Sequence, residues 1–214
     1  MRSYRQYCSV AKALDVLGER WTLLIVRELL AQGACRYTDL RRGLPGIATN
    51  LLADRLRELE AAGIVEREDA PPPVATTLFR LTERGAALEP VIRALGRWGT
   101  PLMRADAPGD RFRGHWLTLP VSMFLADRTP HEPSTTVEIR AADEIAVIEA
   151  AAGAVTLRTG VPSRADAVVT TSPQLLLSVL SGHMGIQEAT RRGLTLQGSR
   201  AALERVLPEA PVTV

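Results

Sequence analysis

The segment YTDLRRGLPGIATNLLADRLRELEAAGIV, residues 37–65, contains two helical patterns separated by a tight turn. Leu40 faces inward in the first pattern, which runs to Arg42, and the sequence GLPG that follows supplies strong helix breakers. Residues 48–62 form the second pattern, and Gly63 is its natural end because glycine tolerates the left-handed conformation of a helix C-terminus. A short helix, a turn and a longer helix are typical of the helix-turn-helix that binds DNA.

Two further helices are predicted ahead of this segment. Residues 9–31 place apolar side chains at helical spacing, and Gly18 interrupts the pattern, which therefore predicts two helices. Gly33 is expected to end the second of them. The N-terminal half is therefore predicted to begin with helices rather than strands.

A hairpin and another helix are predicted after the segment. Residues 64–67 and 77–81 have the character of strands, and the proline-rich residues 70–73 form the tip between them. Thr82 is expected to cap a helix that runs to about Trp98. This order predicts a winged helix, in which the short helix braces the DNA backbone, the next helix lies in the major groove, and the hairpin wing reaches flanking phosphates.

The helix predicted over residues 48–62 has an apolar side, formed by its leucines, and a small polar side. Asn50 and Arg57 on the polar side can hydrogen-bond to base edges, whereas Arg55 lies near the apolar side and is interpreted as an internal brace. A plain solvated amphipathic helix would have the same pattern, which leaves both interpretations open. The residues predicted to contact DNA are Arg36, Thr38, Arg41, Arg42, Thr49, Asn50, Ala53, Asp54, Arg57, Arg67 and Arg80.

The composition is that of an ordinary globular protein. Of the 214 residues, 46% are hydrophobic and 23% are charged, which argues against intrinsic disorder. No segment has the unbroken apolar length of a membrane span, and the N-terminal sequence MRSYRQY lacks the apolar core of a signal peptide, so a cytoplasmic location is expected. Two cysteines are too few for a disulfide scaffold.

The charge differs between the two halves of the chain. Residues 1–104 carry sixteen basic against twelve acidic residues, a net of +4, and residues 105–214 carry ten against twelve, a net of −2. A basic half joined to an acidic half suggests two domains with different partners. Every positive charge except Lys12 is an arginine, which suits phosphate and base-edge contacts, although a GC-rich genome would produce the same bias.

Several short segments of the first half occur in a specific order and spacing. They are CSV (8–10), LDVLGERWTLLI (14–25), RELL (27–30), RYTDL (36–40), LPGI (44–47), GIV (63–65) and LTERG (81–85), with Leu52, Arg55, Leu56, Leu59, Arg67 and Trp98. Together these residues resemble the HxlR family of bacterial regulators over residues 7–99. The resemblance implies a winged-helix fold, a homodimer, and binding to a palindromic operator in double-stranded DNA.

Three places depart from the pattern of that family. Ser9 stands where the family usually has proline. Ala48 stands where a serine usually caps the recognition helix, so the cap is expected to pass to Thr49. Glu68 and Asp69 follow the arginine of the first wing strand, which makes the wing less basic and weakens the expected contact with phosphate.

The second half predicts an α+β domain. The predicted fold class of the whole chain is therefore α+β: a winged helix-turn-helix DNA-binding and dimerisation domain of residues 1–104, a linker near residues 105–110, and a domain of residues 111–214 with an antiparallel-type sheet covered by helices. Its predicted elements are strands at residues 135–140, 144–149, 154–159, 167–171 and 194–197 and helices at residues 112–125, 173–180, 186–192 and 199–207.

The run ADAVVTTSP, residues 165–173, is followed by leucines at 175 and 176 and later by Ala189, Gly193 and Leu196. These residues resemble the end of a sterol-carrier-protein-like domain, and the resemblance, over roughly residues 112–208, implies a sheet covered by helices around an apolar cavity. A small apolar ligand that tunes DNA binding is therefore expected, unless the same side chains fill an ordinary core. The residues predicted to bind it are Met123, Phe124, Leu176, Val179, Leu180 and Met184.

Cys8 suggests a different signal for the same DNA-binding unit. In some members of the family that this chain resembles, a cysteine at this place senses oxidants or electrophiles, and Arg5 and Lys12 are near enough in sequence to favour the thiolate. The alternative is that Cys8 is a small apolar residue packed at the start of the first helix. A third function, from another class, is a lipid carrier or enzyme whose first domain has lost DNA binding.

The sequence contains no pattern typical of catalysis or metal binding. His115, His131 and His183 are widely separated and have no cysteine or acidic partner at ligand spacing. A glycine-rich phosphate loop, a nucleophile elbow and a zinc-protease signature are also missing from the sequence. The chain is therefore expected not to be an enzyme and to need no metal or cofactor.

Overall fold

The computed structural model describes residues 3–71, 76–103 and 109–208. The chain divides into two compact units, Met1–Leu95 and Gly96–Val214. Residues 72–73 of the predicted hairpin tip and residues 105–108 of the predicted linker lie outside the described residues. The domain bounds at residues 104 and 111 stay predictions.

The first unit has the order of helices and strands that its sequence predicts, with a short additional strand and with the last predicted helix divided in two. The elements are α1 Ser9–Leu17, α2 Thr22–Gln32, β1 Cys35–Arg36, α3 Tyr37–Gly43, α4 Thr49–Ala61, β2 Val65–Ala70, β3 Thr76–Leu81, α5 Glu83–Ala86 and α6 Glu89–Gly99. The strands form an antiparallel sheet in the order β1-β3-β2, with Cys35 opposite Phe79 and Val65 opposite Leu81. Helices followed by this hairpin form a winged helix.

The apolar side of α4 packs in the core of the first unit, as its sequence pattern predicts. Leu52, Leu56 and Leu59 are each no more than 2% exposed, and Ile25 of α2 and Leu40 of α3 are fully buried. Burial of a leucine side chain stabilises a fold by roughly 1.5–3 kcal/mol. The three leucines therefore fix which side of α4 faces solvent.

The single helix predicted from Thr82 to Trp98 is instead two helices, α5 and α6. The predicted cap is correct, because Thr82 Oγ1 accepts a hydrogen bond from the N–H of Gly85 at 3.0 Å. The break follows at residues 87–88, just before Pro90 enters the first turn of α6. Proline has no N–H to donate to the carbonyl four residues earlier, so a continuous helix would lose a hydrogen bond there.

The second unit contains a five-stranded sheet and four α-helices among its described residues. Its elements are a 3-10 helix at Gly114–Leu117, α7 Thr118–Phe124, β4 Thr135–Ala141, β5 Glu144–Ala151, β6 Ala154–Thr159, β7 Ala167–Thr171, α8 Pro173–Leu180, α9 Ile186–Arg191, β8 Thr195–Gly198 and α10 Arg200–Glu204. The strand order in the sheet is β6-β5-β4-β7-β8. The predicted strands are all present, within two residues at each end.

The sheet of the second unit is mixed, so the predicted antiparallel-type sheet is wrong at its centre. Strands β4, β5 and β6 form an antiparallel meander, but β7 pairs with β4 in parallel, with Val137 opposite Ala167. The chain between β6 and β7 crosses to the far side of β4 instead of turning back in a hairpin. Such a crossover lets the next strand run parallel.

One face of this sheet packs against the helices of its own unit. Val137 and Ile139 of β4 join Leu176 and Leu180 of α8 in the core of the unit. The helix predicted over residues 112–125 is interrupted, because its first part is the 3-10 helix and the α-helix begins only at Thr118. Pro120, which has no N–H to donate, lies in the first turn of α7, where proline is tolerated.

A buried ion pair joins the end of α7 to the C-terminal helix of the second unit. Arg205 Nε and Nη2 donate to the two carboxylate oxygens of Asp127 at 2.8 and 3.1 Å. Arg205 also donates to the carbonyl of Pro133 at 2.6 Å, and Asp127 accepts from the N–H of Gly153 at 2.9 Å. The Arg205 guanidinium lowers the pKa of Asp127 from 3.8 to about 2.

Across the described residues, no helix is both long and apolar enough to cross a membrane.

Candidate nucleic-acid interface

A line of polar and small side chains runs along the solvent side of α4. Asn50, Asp54, Arg57 and Ala61 are exposed and follow one another at intervals of four, three and four residues. Residues at this spacing lie in one row along a helix. The row contains donors and acceptors but no bulky apolar group, so it can enter a groove and hydrogen-bond to base edges.

Helix α3 is tied to the start of α4 by one hydrogen bond. The hydroxyl of Tyr37 donates to the carbonyl of Thr49 at 2.7 Å. The expectation that Thr49 replaces the missing serine cap is wrong, because Ala48 is itself the N-cap residue and Thr49 is already the first residue of the helix. Ala48 has no side-chain oxygen to accept from the first N–H groups, which costs about 1 kcal/mol relative to serine. The Tyr37 bond therefore provides an alternative tether for this end of α4.

A buried carboxylate in α2, that of Glu28, stabilises the contact between α2 and the end of α3. Glu28 is fully buried, and sequence analysis did not identify it as a functional residue. Its carboxylate accepts from Gln32 Nε2 at 2.7 Å and from Arg27 Nη2 at 2.5 Å, and Arg27 also donates to the carbonyl of Gly43 at 3.3 Å. These bonds compensate the desolvation of the charge and join α2 to the end of α3.

Arg55 braces α4 from inside, as predicted. Its side chain is 16% exposed and forms ion pairs with Glu58 of the same helix and, at 3.1 Å, with Glu19 in the loop before α2. Glu19 is 36 residues away in sequence, and sequence analysis did not identify it as a partner. Arg55 is therefore held toward the protein, on a different side of α4 from Arg57.

The arginines of the wing are paired with glutamates. Arg67 Nη2 lies 2.5 Å from Glu60 Oε2, and its guanidinium stacks 5.4 Å from the ring centre of Phe79. Arg80 lies between Glu66, at 3.0 Å, and Glu68, at 3.2 Å. The positive charges of the wing are therefore compensated by neighbouring glutamates. The weak contact of the wing with phosphate stays a prediction.

The remaining predicted contact residues lie on exposed parts of α3 and α4. Arg36 directly precedes α3, and its backbone N–H donates to the carboxylate of Asp39 at 3.2 Å. Arg42 pairs with the same carboxylate at 3.5 Å. Ala53 is half-buried, so it is the least accessible of the predicted set. The other exposed members are Thr38, Arg41 and Thr49.

The N-terminal segment is tethered to α1 and leaves Cys8 exposed. Asp15 accepts from the N–H of Tyr4 at 2.7 Å and from the hydroxyl of Ser3 at 2.9 Å. The Tyr4 bond holds the pKa of Asp15 below its usual value. Cys8 directly precedes α1 and is exposed, whereas Cys35 is buried, which raises the pKa of its thiol to about 12.

The predicted ligand residues of the second unit lie in two environments. Leu176, Val179 and Leu180 belong to the buried core of the unit, and Met184 packs against that core. Met123 and Phe124 at the end of α7 are half-buried. Within the described residues, no group of three or more histidine, cysteine or acidic side chains could hold a metal ion.

Several known proteins are similar to part of this chain. The model of the family described as HxlR-like helix-turn-helix matches residues 16–107. An uncharacterized HTH-type transcriptional regulator YvaP of Bacillus subtilis is 37% identical over 42% of this chain and 82% of that protein, and the HTH-type transcriptional regulator YodB of the same organism is 36% identical over 46% and 84%. The solved structure of redox regulator HypR in its oxidized form is 36% identical over 47% of this chain and all of that one, with a TM-score of 0.40.

The matched residues include α2, α3, α4 and the wing, and the solvent side of α4 carries groups that can read base edges. This chain belongs to the family of HxlR-like helix-turn-helix regulators and is a DNA-binding transcription regulator.

Proposed function

We propose that the protein is a homodimer that binds a palindromic operator, with one α4 helix in the major groove of each half-site. The exposed row of Asn50, Asp54 and Arg57 carries this proposal, because the leucines on the opposite side of α4 fix its orientation toward solvent. A two-fold symmetric operator matches a protein dimer whose two recognition helices enter successive major grooves.

Two helices of the chain supply apolar surface for the dimer. Val10 and Leu14 of α1 and Val91 and Leu95 of α6 are more than 40% exposed, and Trp98 of α6 is 71% exposed. Apolar rows of this kind are typical of surfaces that bind a partner. Ile92 of α6 is buried and Leu88, just before α6, is half-buried, so these two residues add little to this surface.

Selection of DNA from a random library by the full-length chain tests the operator proposal. Enrichment of an inverted repeat, followed by a gel shift in which two chains bind one repeat, is the expected result. Enrichment of a motif without symmetry would contradict the dimeric part. Failure to bind any DNA would favour the other class of function, a lipid carrier or enzyme with a degenerate first domain.

The second unit is proposed to be a sterol-carrier-protein-like domain that tunes DNA binding through a small apolar ligand. The helices beside its sheet carry apolar side chains, and Met123 and Phe124 are not completely buried. Thermal melting of the full chain with a panel of long-chain apolar compounds tests this, because a ligand that binds the folded state raises its melting temperature. If no compound shifts the melting temperature, the apolar residues act as core alone.

Switching by Cys8 chemistry is the second candidate for the regulatory signal. The exposure of Cys8 next to α1, which also carries part of the proposed dimer surface, favours it. Treatment with diamide should change operator affinity of the wild type but not of Cys8→Ser. Equal responses of the two proteins would exclude Cys8 as the switch.

A further inference from the structure

The exposed row of α4 has an acidic residue near its middle. Asp54 lies between Asn50 and Arg57, and its side chain is 53% exposed. Phosphates repel a carboxylate, so an acidic group on a surface that enters DNA lowers affinity unless it meets a hydrogen-bond donor there. Arg57 donates to one carboxylate oxygen of Asp54, so the other oxygen can accept a hydrogen bond from a donor in the groove.

The major groove offers a suitable donor on cytosine. An ionised carboxylate only accepts hydrogen bonds, and cytosine presents the N4 amino group as a donor. Guanine presents the acceptors O6 and N7, and thymine presents the acceptor O4 and a methyl group. Adenine has a donor at N6, but its N7 acceptor beside that donor repels a carboxylate. Asp54 is therefore best matched by cytosine.

Arg57 is placed to read a guanine close to that cytosine. Its Nη2 group donates to Asp54 Oδ1, and its side chain is 67% exposed. A guanidinium has five N–H donors, so it can keep this bond and still donate to O6 and N7 of guanine. Residues three apart in a helix are separated by about 4.5 Å along its axis, and stacked base pairs by about 3.4 Å. The two side chains can thus reach two adjacent base pairs.

We propose that Asp54 reads a cytosine and Arg57 reads a guanine, in two adjacent base pairs, in each operator half-site. Asp54 is the residue that determines specificity, because it disfavours the other three bases at its position. This inference rests on the proposed binding of an operator by α4.

The test compares DNA selection by the full-length wild type, Asp54→Ala and a control, Glu188→Ala. The control also removes a carboxylate from an exposed ion pair, that of Glu188 in α9 with Arg192, the residue that follows this helix. The wild type should enrich a half-site with two adjacent G·C pairs, one for each side chain. In Asp54→Ala, the preference for cytosine, expected to be roughly five- to 150-fold over the other bases, should fall toward one at that position alone. Glu188→Ala should keep the wild-type motif.

Three results would overturn the inference. If Asp54→Ala binds every sequence more tightly by the same factor and keeps the motif, Asp54 only repels phosphates. If Asp54→Ala and Arg57→Ala lose preference at the same base pair and no second G·C pair is selected beside it, Asp54 only positions Arg57. A wild-type motif without the cytosine and guanine would also contradict it. A wild-type chain that enriches no sequence would contradict operator binding itself, which separates that failure from failure of the inference.

Discussion

Gly43 at the end of α3 lies directly against the buried carboxylate of Glu28 in α2. A Cβ atom added to Gly43 would lie 1.9 Å from Glu28 Oε2 and 2.5 Å from Glu28 Cδ. The carboxylate cannot easily move away, because Gln32 and Arg27 hold it by hydrogen bonds. Helices α2 and α3 can therefore pack closely only because residue 43 has no side chain.

Gly43→Ala is therefore expected to destabilise the fold. Inserting a methyl group into a packed site costs about 1–3 kcal/mol, and displacing the Glu28 carboxylate adds to that cost. Denaturant unfolding of the two proteins measures the difference. Gly99→Ala is the control, because among the described residues no atom lies within 4 Å of a Cβ built there. Equal stability of Gly43→Ala and wild type would show that Glu28 can move freely.

Asn50→Ala and Arg57→Ala should each weaken specific operator binding while the fold stays intact. Loss of one good base contact costs on the order of 1–3 kcal/mol. Gel shifts at equal salt with the selected operator measure the loss, and circular dichroism checks the fold. The groove assignment of α4 is wrong if both variants bind the operator like the wild type.

Trp98→Asp should weaken the dimer. Loss of a central aromatic anchor from an interface costs about 2 kcal/mol or more, which is roughly a 30-fold rise in dissociation constant. Light scattering and analytical ultracentrifugation over a concentration series measure it. Val161→Asp is a matched control, because Val161 is another exposed apolar residue, 68% exposed, but lies outside α1 and α6. A wild type that is monomeric at micromolar concentration while it binds DNA would contradict the proposed dimer.

The ion pair of Asp127 with Arg205 should make the second unit sensitive to acid. The pKa of Asp127 is about 2 in the fold, below its ordinary 3.8, so the folded state favours the charged form. Its contribution to stability is present above about pH 4 and is lost as the pH falls through 2. Asp127→Asn should therefore be less stable than wild type at pH 7, and the difference should shrink between pH 4 and pH 2. A difference in unfolding free energy that does not change over this range would show that the charge of Asp127 contributes nothing.

The two cysteines should react at very different rates. Burial raises the pKa of Cys35 to about 12, with Asp39 and Glu28 adding to the rise, so its thiolate is scarce at pH 8. Cys8 is exposed and should react first with iodoacetamide. Mass spectrometry after limited labelling should find a single adduct at Cys8, and Cys8→Ser should remain unlabelled over the same time. Rapid labelling of Cys35 would show that α3 and β1 open readily in solution.

The order of elements was predictable because it depends on local signals. The leucines of α4 repeat at helical spacing, Gly63 ends that pattern, and Thr82 supplies a side-chain cap, so each signal lies within a few residues of the element that it specifies. The same holds for the strands of the second unit, which alternate with short turns. The spacing of the leucines also predicted which side of α4 faces solvent. The residues expected to contact bases were chosen from that side.

The sequence by itself determined most of the helices and strands and the polar face of α4, because propensity, periodicity and capping act between near neighbours along the chain. The tertiary structure alone decided which distant groups meet: Glu19 with Arg55, Asp127 with Arg205, and β7 beside β4 in parallel. These pairings depend on how the chain crosses a sheet and on which charges become buried together. A one-dimensional pattern of residue types does not contain that information, since many partners of the same charge are available until packing selects one.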